Sequence, residues 1–358
     1  MTDNWELLGH EWAVDMLRQH IARDAARHAY LFTGPPGLGR RSLALRFAQA
    51  LNCPQPPAPG DACRKCRTCK QIEAMQYPDL TVVQAEKEGG VLKVEQIREL
   101  QHSLSLAPYQ GKYRVALFLR FQEANPNAAN ALLKTLEEAP AQVILLLTAD
   151  NAEQLLPTIV SRCEVMRLRP PSIESVQAYL CAAPFGKLRA TPTRQERGAE
   201  SAPQGYEAQA CLLAHLSGGR PGYALRLQSD PAALAFRQVR LDDLQKLLAA
   251  NSLKGTFSRR ARFTYAESLG KDKDAFRNVL LVWLTYWRDV MLRAAQADTP
   301  LVNIDRTDEI EALAARLSLP EARRVVTDLE RALDRLEKNV NARLLAEVLL
   351  LDWPGVTI

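Results

Sequence analysis

The sequence predicts an α/β core, a parallel sheet with helices on both faces, followed by a chain that is helical to its end. Three observations carry this reading. Apolar strands and amphipathic helices alternate between residues 28 and 168, the pattern of a parallel sheet whose crossovers cover its faces. The short apolar stretch His28–Gly34 (HAYLFTG) runs into a glycine-rich turn and then a helix, the context that gives a phosphate-loop motif meaning. Beyond residue 231 the apolar positions recur at helical spacing.

Taken in order, residues 5–27 read as a helix, with Trp12, Met16, Leu17, Ile21 and Ala25 on one face. The first strand follows, then a helix from near Gly39 with Leu43, Leu45, Phe47, Ala48 and Leu51 apolar. Asp79–Gln84 (DLTVVQ) is a strand. Val91–Leu106 is a helix, with Val94, Ile97, Leu100 and Leu104 facing inward. The central strand is Val115–Leu119, the next helix is centred on Asn130–Glu138 (NALLKTLEE), and Val143–Thr148 is another strand. Residues 172–183 form a helix. Pro184–Gly205 is rich in Pro, Gly, Ser, Thr and Arg without apolar period and reads as a mobile insertion. Helix resumes at Tyr206–Leu227, broken at 218–222 by GGRPG. Leu241, Leu244, Leu247 and Leu248 begin a helical bundle of the kind that serves packing or assembly.

Composition excludes several classes. The 358 residues are 47% apolar and 24% charged, as in ordinary globular proteins. No run is long and apolar enough for a membrane span. The N-terminus, MTDNWELLGHEWAV, lacks a basic region followed by an apolar core, so a cytoplasmic location is expected. The net charge of +5 permits contact with nucleic acid without requiring it.

Two motifs carry chemistry. The turn matches G-x4-G with Gly34, Gly37 and Gly39, but a working phosphate loop continues with Lys and then Ser or Thr. Here those places hold Arg40 and Arg41, and Ser42 comes one residue late, about 100° round the helix. Arg40 keeps the charge, with a wider planar head. Arg41 offers no oxygen to a metal. Backbone amides at the helix start can still hold an anion. The central strand ends in Leu119-Arg120, where a hydrolytic P-loop protein places an acidic pair for Mg²⁺ and water. The second motif is Cys53-x9-Cys63-x2-Cys66-x2-Cys69 on a Pro/Gly-rich stretch, a spacing that closes a tetrahedral structural Zn²⁺ site. Arg64, Lys65, Arg67 and Lys70 favour thiolate there. Cys163, Cys181 and Cys211 are expected in the core.

HAYLFTGPPGLGR, the four-Cys insert, YPDL (Tyr77–Leu80), VEQIRELQHSLSLAPYQGKYRV, NALLKTLEEAP, the Ser161-Arg162-Cys163 triplet and NVNARLLAEVLLLDW together resemble the AAA+ clamp-loader subunits of bacterial DNA polymerase III. The resemblance covers nearly the whole chain outside 184–205. It implies a P-loop AAA+ core with the zinc insert at 1–168, a small helical lid domain at 169–230 and an all-α collar at 231–358 that builds a pentameric ring. The degenerate loop is more similar to the family's non-hydrolysing member than to its ATP-hydrolysing tau/gamma member.

Carried over residue by residue, the loop glycines are Gly34, Gly37 and Gly39, and the lysine and metal hydroxyl become Arg40 and Arg41. The acidic pair becomes Leu119 and Arg120, with Glu123 too far past the strand to replace either. The polar residue ending the next strand falls near Thr148-Ala149. The lid arginine falls on Gly222, with Arg220 two residues early. Arg162 corresponds to the arginine finger that reaches a neighbour's ATP and stabilises developing charge. The resemblance thus implies a subunit of a DNA-directed DNA polymerase (nucleotidyltransferase) holoenzyme without ATP hydrolysis of its own. Its expected partners are tau/gamma ATPase subunits, the delta subunit and, through the complex, the sliding clamp and primed DNA. Lys134 is a candidate phosphate contact. Two rivals remain: an active tau/gamma-type ATPase using an arginine loop, and a zinc-ribbon nucleic-acid-binding adaptor.

Overall fold

The computed structural model describes residues 5–87, 89–182, 206–249, 259–338, 340–351 and 353. The expected insertion at 184–205 lies outside them. The chain divides into two units, Met1–Tyr179 with Gly219–Tyr223, and Leu180–Gly218 with Ala224–Ile358.

The first unit is built on five parallel strands: β1 (Ala29–Thr33), β2 (Leu80–Val83), β3 (Arg114–Phe118), β4 (Val143–Ala149) and β5 (Glu164–Arg167), in the order β2-β3-β4-β1-β5. Val, Leu, Ile and Phe fill them because both faces are covered, and every residue of β1 and β4 is buried. Alternate side chains serve alternate faces. Tyr30, Phe32, Leu117 and Leu146 pack with α1 (Glu11–Ala22), α2 (Arg40–Asn52) and α3 (Arg67–Glu73). Leu31, Phe118, Leu145 and Leu147 pack with α4 (Val94–Leu104), α5 (Pro126–Glu137) and α6 (Pro157–Val160). The α/β core predicted above is therefore present, and β5 adds a strand that the alternation alone had not delimited.

The first helix is shorter than its periodicity suggests. It begins after His10, whose Nε2 lies 2.7 Å from the Leu38 carbonyl. Trp5, before it, is buried and donates its indole N–H to Asp61 at 3.2 Å. Tertiary anchoring replaces the first helical turns.

One loop of this unit is fixed by a buried charge. Asp79 accepts the backbone N–H groups of Tyr109 (2.6 Å), Gln110 (2.8 Å) and Gly111 (2.8 Å), and Arg114 lies 3.7 Å away. Asn52 accepts the N–H of Tyr113 at 2.9 Å. A Cβ on Gly111 would sit 2.5 Å from the Asn52 oxygen and would displace the side chain that holds Tyr113. The YPDL and PYQG stretches are thereby one structural device. Burial alone would push the Asp79 carboxyl up, but the three N–H groups and Arg114 outweigh it and hold it below the usual range. Its stabilising effect is therefore full above the unfolded value of about 3.9 and is lost as pH falls through the lower folded value. Asp79→Ala is expected to cost about 3 kcal/mol at neutral pH by leaving buried donors unpaired. Calorimetric melts from pH 7 down to pH 3 should show the gap to wild type narrowing in acid.

In the second unit, α8 (Tyr206–Ser217) follows α7 (Ile173–Ala182), whose last residues belong to this unit, and α9 (Pro221–Ser229) has its later residues here. The remaining helices are α10 (Pro231–Ala249), α11 (Arg259–Leu269), α12 (Lys273–Ala294), α13 (Thr307–Ala314), α14 (Leu319–Glu337) and α15 (Ala342–Leu351). Trp283, Tyr286, Trp287, Phe276 and Trp353 fill their shared core. Asp289 is buried at a helix–loop joint, accepting the N–H groups of Val302 and Asn303. The three cysteines expected in the core are less enclosed: Cys163 and Cys211 are half-buried, and Cys181 is exposed, off the buried face that Val176 and Leu180 mark. No described helix is long and apolar enough to cross a membrane.

Candidate functional site

The phosphate-loop shape is real. Gly34, Gly37 and Gly39 have φ of 144°, 88° and 91°, values that favour glycine. Gly39 leads into α2. Each end of the loop is already engaged by the chain. Gly34 donates its N–H to the Asp150 carbonyl at 3.0 Å, and the Gly37 carbonyl accepts the N–H of Gly222 at 2.8 Å. A Cβ at Gly37 would meet the Tyr223 backbone nitrogen at 2.9 Å. Gly222, where the resemblance implies a lid arginine, contributes backbone packing. Arg220 stacks over the Tyr223 ring, 4.6 Å from its centroid.

Arg40 is not turned to solvent. Its side chain is 10% exposed, and Nη2 lies 2.7 Å from Oδ1 of Asp150. Arg41 and Ser42 are exposed on the first turn of α2. At the end of β3, Leu119 is buried and Arg120 has φ 53°, with its N–H donated to Thr148 Oγ1 at 3.0 Å and its Nε to Glu123 at 2.7 Å. Thr148 in turn donates to the Phe118 carbonyl at 3.1 Å. These residues do not fit a magnesium nucleotide. The metal hydroxyl and both acids are missing, and the loop cation already has a carboxylate.

Sequence reasoning placed the polar residue of β4 at Thr148-Ala149. Thr148 ties β3 to β4, and the residue facing the loop is Asp150. The signal was available: Asp150 is the first charged residue after a strand with no charge in it.

Arg162 lies just after α6. Nη2 is 2.6 Å from Oε1 of Glu137, with side chains 36% and 51% exposed, and Nη1 donates to the Thr158 carbonyl at 2.9 Å. Glu137, on α5, is the partner that sequence reasoning missed. Lys134, one turn earlier, is exposed.

The four cysteines do converge. Their sulfurs all lie within 4.8 Å of one another, and Cys63 and Cys69 are 4.0 Å apart. A tetrahedron with metal–sulfur bonds of about 2.3 Å needs sulfurs about 3.8 Å apart, so the set fits a metal ion. Cys63, Cys66 and Cys69 donate backbone N–H groups to the sulfurs of Cys53, Cys63 and Cys66 at 3.3, 3.4 and 3.4 Å. Burial pushes the Cys63 thiol up, but N–H donation from Cys66 and Lys65 and the neighbouring thiols outweigh it and bring it to about 6. Burial pushes Cys69 up. Cys69 sits on α3 and its carbonyl accepts from the buried Gln49 at 2.7 Å.

Two family profiles match the chain, "DNA polymerase III, delta subunit" over residues 9–172 and "DNA polymerase III, delta subunit, C terminal" over 239–355. The chain belongs to the DNA polymerase III delta-subunit family. It is 34% identical over 237 residues to DNA polymerase III subunit delta' of Pseudomonas aeruginosa, covering 66% of each chain. To subunit delta' of Bacillus subtilis it is 33% identical over 165 residues, 46% of this chain and 49% of that one. It is also 33% identical over 175 residues to the Escherichia coli tau subunit, 49% of this chain and 27% of that one. The alignments thus span from about two thirds to about a quarter of these relatives.

Proposed function

We propose that this chain is the delta-prime subunit of a clamp loader. It is a partner in a ring that loads the sliding clamp on primed DNA, and it supplies Arg162 to a neighbouring ATPase site while hydrolysing no ATP itself. The carrying observation is a contrast between two arginines. Arg40, in the chain's own loop, is buried against Asp150, whereas Arg162 is at the surface on an exposed carboxylate. The first cation is spent internally; the second is free to change partner. Tau/gamma ATPase subunits and the delta subunit are its partners in this reading. Residues 1–168, 169–230 and 231–358 act as AAA+ core, lid and collar, and Zn²⁺ held by Cys53, Cys63, Cys66 and Cys69 is structural.

The deciding experiment compares ATP turnover by the purified chain with turnover by the reconstituted complex. The chain alone should show none and should raise the rate of the complex. Turnover by the chain alone would favour the tau/gamma-type reading, and tight salt-dependent DNA binding by it the adaptor reading.

The collar role has its own support. On α15, Leu345, Ala346, Leu349 and Leu350 are buried, while Leu344, Val348 and Leu351 on the opposite side are 58%, 45% and 44% exposed. A helix apolar on both sides has a face to give to another subunit. Leu344→Glu with Val348→Glu should weaken ring assembly about tenfold or more without lowering the chain's own melting temperature. Light scattering of the mixed subunits reads the result.

A further inference from the structure

We infer that Asp150 is a built-in anion that occupies the phosphate loop and shuts it to external phosphate. The argument begins with α2. The N-cap of this 13-residue helix, Gly39, supplies no side-chain acceptor, and the first turn of a helix presents donors and the positive end of its dipole. Arg40 adds a guanidinium whose side chain is nine-tenths buried. Such a place calls for negative charge, and Asp150 provides it from within the chain, 2.7 Å from Arg40.

The same residue holds the loop a second time, through its carbonyl and the Gly34 N–H. Gly222 and Tyr223 close the other side by backbone contact with Gly37. Nη1 of Arg40 is buried and has no hydrogen-bond partner among the described residues. A single carboxylate therefore leaves part of the guanidinium unsatisfied, where a polyphosphate would reach both ends of the fork.

A tethered carboxylate competes at an effective concentration of millimolar or more, so free anions are shut out while Asp150 is present. Removing it leaves a buried, unpaired cation, which recruits a replacement. The loop is thus a latent pyrophosphate-class site gated by one side chain. This deepens the reading that the chain hydrolyses no ATP. Its test needs no ring, so its failure leaves the role of Arg162 standing.

The test is a thermal melt of the full chain with and without about 10 mM magnesium-free pyrophosphate, on wild type, Asp150→Asn, Asp150→Ser and Asp150→Asn with Arg40→Ala. Wild type and the double variant should not move. Each single variant should gain about 3 °C or more, or recover its fold if it is unfolded without the anion. A shift in wild type of the same size, or a single variant that neither shifts nor is rescued, overturns the inference. So does a shift that survives Arg40→Ala.

Discussion

In a reconstituted ring, Arg162→Ala lowers single-turnover ATP hydrolysis at the adjoining site by on the order of 10³-fold, the low end of what an arginine finger supplies. The chain's own stability hardly changes, because an ion pair as exposed as Arg162–Glu137 contributes at most about 1 kcal/mol. Arg162→Lys restores little, since an ammonium lacks the planar fork. Glu137→Ala leaves hydrolysis intact, because that carboxylate only receives the arginine while the chain is alone. Rapid-quench measurement with labelled ATP separates these cases. Equal rates for wild type and Arg162→Ala would remove the trans-acting role.

Loss of the metal is the second large effect. Zinc bound to thiolates in small modules is worth on the order of 10–16 kcal/mol of apparent folding free energy, and residues 53–73 hold little core of their own. They are tied to the rest of the unit by Gln49 at the Cys69 carbonyl, Trp5 and Arg18 at Asp61, Arg64 at Glu6 and Arg46 at Glu73, and by Ile72 in the core of the sheet. Cys66→Ser with Cys69→Ser should take bound zinc from one per chain to none and expose this segment to protease. The other face of the sheet, packed on α4, α5 and α6, stays folded. Because protons compete for the thiolates, wild type should lose zinc as pH falls. Metal analysis across a pH series reads this. Full zinc retention by the double variant would contradict the four-cysteine site.

Much of the core was legible because strand burial on both faces leaves continuous apolar runs, as in Val143–Leu147. The cysteine spacing was equally plain, since ligand geometry constrains sequence locally. What sequence could not give were partners across space. Asp150 and Arg40 are 110 positions apart, and Asp79 finds its three amides in a loop some 30 residues on. The first helix was overextended at its start because Trp5, ahead of it, is held by packing and by Asp61 rather than by helical hydrogen bonds. Cys181 was misplaced because the buried face of its helix runs through Val176 and Leu180 and stops short of it.

The backbone at the end of β3 decides how permanent the missing acids are. Leu119 points into the apolar interior, and residue 120 is left-handed, with its amide consumed by Thr148. Writing Asp-Glu into these two positions would bury one carboxylate in an apolar cluster and set the other on a left-handed residue whose amide is already bonded to Thr148. Restoring an acidic pair at this strand end would take a new backbone path as well as two new side chains.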